Sequence, residues 1–124
     1  MSSYCARANV EARFGVDNVA LWATLADGDS AATILARINT GIAVASDELD
    51  EILRCISGYE GKLPMSTVPD SVCDKVAIRA GLWLYSFMAT DDSPQTTGYV
   101  ARLEERLDKW TNEIREGFRK LDLR

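Results

Sequence analysis

Lys62-Leu63-Pro64-Met65-Ser66-Thr67-Val68-Pro69 lies between two long stretches of helical periodicity and decides where helices stop in this chain. A proline has no backbone donor and pushes the residue before it toward extended conformations. Leu63 and Val68 are therefore expected to be non-helical, and the segment to form an exposed, semi-rigid connector. It is longer than a helical hairpin needs.

On the N-terminal side of the connector, Ile34, Ile38, Ile42, Ala45, Leu49, Ile52 and Ile56 share one helical face, with Leu35 and Leu53 widening it. This predicts one long helix from Ala31 to about Ser57, with a bend near Thr40-Gly41. Its other face carries Asp47, Glu48, Asp50 and Glu51, with Arg54 spaced to pair with Asp50. Consecutive carboxylates beside no nucleophile and no second ligand segment predict a solvated face or a subunit contact.

Past the connector, Ser71-Val72-Cys73-Asp74 has capping-box spacing, so a helix should begin between Val68 and Ser71 and end by Thr90. Val72, Val76, Ala80, Trp83 and Phe87 mark one face and Ile78, Leu82 and Tyr85 another. A helix apolar on so many sides belongs in the centre, and its Arg79 should reach solvent or a carboxylate. After a polar loop, a last helix from about Gly98 to Lys120 shows a narrow seam of Val100, Leu103, Leu107, Trp110, Ile114, Gly117 and Leu121. Such a seam packs on one neighbour, either the preceding helix or another subunit.

Tyr4 to Gly15 reads as a short amphipathic helix closed by glycine, and Val16 to Leu25 as a second, with Asp27-Gly28-Asp29 as a turn. No glutamate follows at the distance a calcium loop needs. The fold class is thus all-α: two short N-terminal helices followed by three long helices, with the proline-bearing connector between the third and fourth. One domain spans 1–124, with an extended tail at 119–124, where Leu121 and Leu123 alternate.

Composition narrows the function. The chain has 124 residues, no histidine, three cysteines (Cys5, Cys55 and Cys73) at wide spacing and a net charge of −5. A zinc site does not fit, and with no apolar signal segment the cysteines are expected to be reduced thiols in a protein made in the cytoplasm, Cys55 and Cys73 buried. No apolar run approaches membrane-spanning length. Without histidine, a phosphate-binding glycine loop, a nucleophile motif or converging carboxylates, the expectation is a protein that is not an enzyme and needs no cofactor. The acidic charge disfavours a protein that wraps nucleic acid, though an acidic wall suits a conduit through which DNA slides.

The helix Tyr4 to Gly15, Leu63-Pro64-Met65, Val68-Pro69 and the aromatic run Leu82-Trp83-Leu84-Tyr85 together resemble the head-completion proteins, or head-tail connectors, of tailed bacteriophages, of the Mu-like prophage type. The resemblance runs from Tyr4 to about Gly117. Ala6 stands where the family often has a Thr or Ser cap, and Ser57-Gly58-Tyr59-Glu60-Gly61 where it often has an Arg-Tyr pair. The resemblance implies a structural virion protein of the neck, at the head-tail interface. It would form a ring, expected to be dodecameric, between the portal protein and a tail or stopper protein, and DNA would pass through without sequence-specific binding.

Within that frame Leu63, Pro64, Met65, Val68 and Pro69 are candidates for a subunit or tail contact. Leu121 and Leu123 are candidates for the portal contact, and Asp47, Glu48, Asp50 and Glu51 for an exposed acidic face. The alternative is a small helical regulator that reads DNA with the first two helices. Against it, the second of these offers Asp17, Asn18, Trp22 and Thr24 but no Lys or Arg.

Overall fold

A computed structural model describes residues 3–25, 28–56, 58–87, 94–121 and 123, with the side chains of 94–96 left aside. It is all-helical, with five α-helices and no strand among the described residues: α1 Arg7–Phe14, α2 Val16–Trp22, α3 Ala31–Arg54, α4 Asp70–Phe87 and α5 Pro94–Arg115. A single 3₁₀ turn, Glu60–Lys62, stands in the connector.

Local chemistry sets most boundaries. Ala6 has no side chain to cap α1, and its own N–H donates to Asn9 Oδ1 at 2.8 Å instead. Gly15 alone separates α1 from α2, at φ +91°, a conformation that glycine adopts without steric cost. Ser30 caps α3, its Oγ accepting from the Thr33 N–H at 3.2 Å. α5 begins at Pro94, four positions before the expected Gly98, because proline at a first helical position loses no hydrogen bond. It stops at Arg115 rather than Lys120: Gly117, at φ +80°, turns the chain, and the Arg119 N–H donates back to the Glu113 carbonyl at 3.1 Å.

α4 is the hub, packing on each of the other four helices. Val72, Val76, Ala77, Ile78, Ala80, Gly81 and Leu84 are all buried along it. Two glycines allow the close approach. A Cβ on Gly81 would lie only 2.7 Å from even Cζ of the Phe14 ring, and one on Gly41 would lie 2.9 Å from Trp83 Cε3. Gly41 is therefore a packing notch between α3 and α4, which accounts for a residue that costs about 1 kcal/mol of helix propensity.

α3 and α4 run antiparallel, with Arg79 bonded to Glu48 at 3.1 Å and Gly41 against Ala80 and Trp83. The stripe Val100, Leu103, Leu107, Trp110 and Ile114 is buried and α5 lies on α4, so the seam's neighbour belongs to the same chain.

Candidate interaction surfaces

The connector is built around Tyr4, expected at the start of the first helix but lying ahead of α1. Tyr4 is buried, its hydroxyl donates to Asp50 Oδ1 at 2.6 Å, and the same oxygen accepts from the Met65 N–H at 3.0 Å. The Tyr4 N–H donates to Ser46 Oγ at 3.1 Å, and the Ser46 hydroxyl in turn donates to the Ile42 carbonyl at 2.8 Å. One aromatic side chain thus ties the N-terminus, α3 and the connector together.

This corrects two expectations. The connector is not uniformly exposed: Met65 is buried, Leu63, Val68 and Pro69 are half-buried, and only Pro64 of the five candidates is open. The apolar side chains expected to face a partner pack on the chain's own core because Tyr4 draws the Met65 backbone inward. Asp50, placed on the acidic face, is 2% exposed and serves the tyrosine. Burial of a carboxylate is tolerable only with such a donor.

The tail is corrected likewise. Leu121 and Leu123 are buried, at 9% and 3% exposure, and the Leu121 N–H donates to Tyr59 Oη at 2.9 Å. The turn at Gly117 folds these leucines back onto the connector, where Ile56, Tyr59, Lys62 and Ile114 share a groove with Leu121. They cap this end of the bundle.

Of the acidic face, Glu51 is exposed, Asp47 and Glu48 half-exposed. Glu48, Glu51, Ile52 and Cys55 of the α3 side share a groove with Arg79 and Arg115, so the surface there is mixed in charge rather than acidic. Cys55 lies exposed within it, contrary to the expected burial: α3 ends at Arg54, and in its last turn Leu53 rather than Cys55 is buried. Cys5 and Cys73 are half-buried; burial, aided by the nearby Cys73 sulfur, pushes the Cys5 thiol up to about 12. Among the described residues no three Cys, Asp or Glu gather to hold a metal, and no helix is long and apolar enough to cross a membrane.

Two features escaped sequence reasoning. Trp22, Leu25, Arg37, Trp83, Leu84 and Phe87 line an apolar groove where α2 ends, α3 begins and α4 ends. Leu25 is 50% and Phe87 59% exposed, with Phe87 edge-on to Trp83 at 4.8 Å. Arg37 closes one side, held by the Asp29 carboxylate and the Ala23 carbonyl. At the other end Phe118, in the turn after Gly117, is 81% exposed, the most open of the large apolar side chains described. The available signal was positional: Phe87 was placed on an apolar face of its helix but stands at the last helical position, where that face opens outward, and Phe118 follows a turn glycine beyond the reach of helical periodicity.

Comparison of the chain with protein-family models, with curated proteins and with solved structures gives no match.

Proposed function

We propose that this protein is a structural subunit of the phage neck, joining a ring between portal and tail and extending the channel for DNA. The family resemblance motivates the reading. The observation that carries it is a small helical body bearing unlike exposed apolar surfaces at its two ends: the aromatic groove of Leu25, Trp83 and Phe87, and the turn that carries Phe118. A ring requires this asymmetry, since a cyclic head-to-tail contact joins two unlike patches. The net charge of −5 suits a conduit wall that does not hold DNA.

The portal-facing contact is open to surfaces other than Leu121 and Leu123, which the core occupies. The experiment is co-production with the portal protein of the same genome, followed by electron microscopy of the purified complex. A ring of added density beneath the portal, expected with twelve subunits, is the supporting result; a chain that never co-purifies with portal overturns the reading.

The regulator alternative receives less support. Gly15 leaves no free turn between α1 and α2, and α2 presents Val16, Asp17 and Leu21 outward while Val19 and Trp22 are buried. None of these is a cation for phosphate or guanine. Fluorescence anisotropy with duplex DNA at low salt should give no binding; tight binding would reinstate the regulator.

A further inference from the structure

The groove between the connector and the folded-back tail has an apolar floor and a basic rim. Ile114 and Leu121 are buried and Ile56 and Tyr59 half-buried along it, while Lys62, Arg119 and Lys120 stand exposed at its sides. The charged residues that line it are thus three cations and no carboxylate, in a chain whose net charge is −5. Its volume of about 340 Å³ is at the small end for ligand-binding clefts.

The carboxylates nearest in sequence leave these cations largely uncompensated. Glu113 accepts from Arg119 Nε at 2.9 Å, and Glu60 accepts from the Gly58 N–H at 3.0 Å. Glu116 is not among the groove's walls, and Arg115 lines the neighbouring groove with Glu48 and Glu51 instead. Asp122 and Arg124, opposite in charge, lie outside the described residues. Lys62 and Lys120 have no ion-pair partner among the described residues. Tyr59 Oη accepts from the Leu121 N–H, and its own proton has no acceptor among the described residues.

We infer that this groove binds an acidic peptide segment of a partner protein, one in which carboxylates flank an apolar side chain. The apolar side chain lies on Ile56, Ile114 and Leu121, and the carboxylates meet Lys62 and Lys120, with the Tyr59 hydroxyl as a further donor. A peptide suits the groove better than a nucleic-acid strand does. Phosphates would use only the rim, and Arg119, whose guanidinium could grip a phosphate with two bonds, is already held by Glu113. The contact goes beyond the neck reading and stands whether or not the chain joins a ring.

Amide NMR titration of the isotope-labelled full chain tests it at low salt, with a heptapeptide of alternating Glu and Leu as the probe, its Gln-for-Glu counterpart, and a short DNA duplex. The acidic peptide should shift the amides of Tyr59, Lys62, Lys120 and Leu121. Its counterpart should bind about fivefold more weakly or worse, and the double variant Lys62→Gln, Lys120→Gln should lose a similar factor, as expected for two exposed ion pairs. Raised salt should weaken the acidic peptide and not its counterpart. A circular-dichroism melt verifies the variant, and the salt dependence of the parent chain carries the charge test if that melt falls.

No shift at millimolar peptide, shifts confined to other amides, equal binding of the Gln counterpart, or a folded double variant that binds as the parent does each overturns the proposal. DNA that shifts the groove amides at lower concentration than the peptide also overturns it, and would make the groove a phosphate site. Peptide binding by a chain that never co-purifies with portal supports the groove and removes the neck reading.

Discussion

The contact of α1 with α4 and the seat of the connector on α3 are both buried, yet they are held in opposite ways. At the first, shape decides: Phe14 lies flush on Gly81, edge-on to Trp22 at 5.4 Å and to Tyr99 at 6.3 Å. At the second, hydrogen bonds decide: Tyr4 and Tyr59 each spend a hydroxyl on a backbone N–H that no helix satisfies. Helices complete their own backbone bonding and need only fitted surfaces, whereas an irregular segment can be buried only if side chains meet its polar groups.

If this contrast is right, adding one methyl to the first region should do more harm than removing an oxygen from the second. Gly81→Ala is expected to have the largest effect, about 3 kcal/mol or more in urea denaturation, because the ring of Phe14 is wedged between two aromatics and cannot withdraw. Phe14→Leu on the Gly81→Ala background should restore part of the loss. If Gly81→Ala costs nothing, shape does not govern the α1 seat.

Tyr4→Phe should cost about 2 kcal/mol, since it leaves both the buried Asp50 carboxylate and the Met65 N–H short of a partner. Hydrogen exchange should quicken at Met65 while α5 amides hardly change. Equal protection at Met65 in parent and variant would show that packing, not the hydroxyl, seats the connector.

Tyr59→Phe removes one partly buried bond to the Leu121 N–H, and about 1 kcal/mol is expected. The change should stay local, as faster exchange at Leu121 and cleavage of the tail by carboxypeptidase. A tail that remains protected would mean that Leu121 and Leu123 hold it by burial alone.

The smallest effect concerns the ion pair that rims the α1 contact. Burial works against the Asp74 carboxylate, but hydrogen bonds from Arg13, at 2.6 Å for Nη2 to Oδ2, and the charges of Arg13 and Lys75 outweigh it and hold its pKa below the usual range. A depressed folded pKa stabilises the fold above the unfolded-state value and is lost as pH falls through the folded one, so the contribution should fade below about pH 4. Both partners are about one-third exposed, and screening leaves roughly 0.5 kcal/mol at neutral pH. Asp74→Asn should flatten stability against pH in that acid window; an unchanged profile would leave the α1 seat to shape alone.

The legible parts of the molecule were those where periodicity and tertiary environment agree. Val72, Val76 and Ala80 announced a helix apolar on several sides, and α4 is the hub; Arg79 was expected in solvent or at a carboxylate, and Glu48 receives it. What misled was polarity taken as exposure. Asp50 lies one position from Leu49 in an acidic run, and its burial is met by a hydrogen bond from the distant Tyr4. Cys55 carried the opposite error, an apolar type on the open side of a helix end.

The candidate contact residues failed for a related reason. Leu63, Met65, Leu121 and Leu123 are apolar residues in irregular segments, and nothing local distinguishes a side chain that awaits a partner from one that folds back. Phe118 is of the same kind and stayed outside.

The sequence by itself determined the all-α class, the order of two short and three long helices, and the interruption at the prolines. Those follow from forces acting within about a turn of helix: side-chain periodicity, missing donors and cap chemistry. Only the tertiary structure decided that the connector and tail are packed inward and that aromatic surfaces are left at the two ends. Those outcomes depend on pairs 61 and 62 positions apart in the chain, Met65 with Tyr4 and Leu121 with Tyr59, whose meeting is set by how helices pack rather than by any residue's own preference.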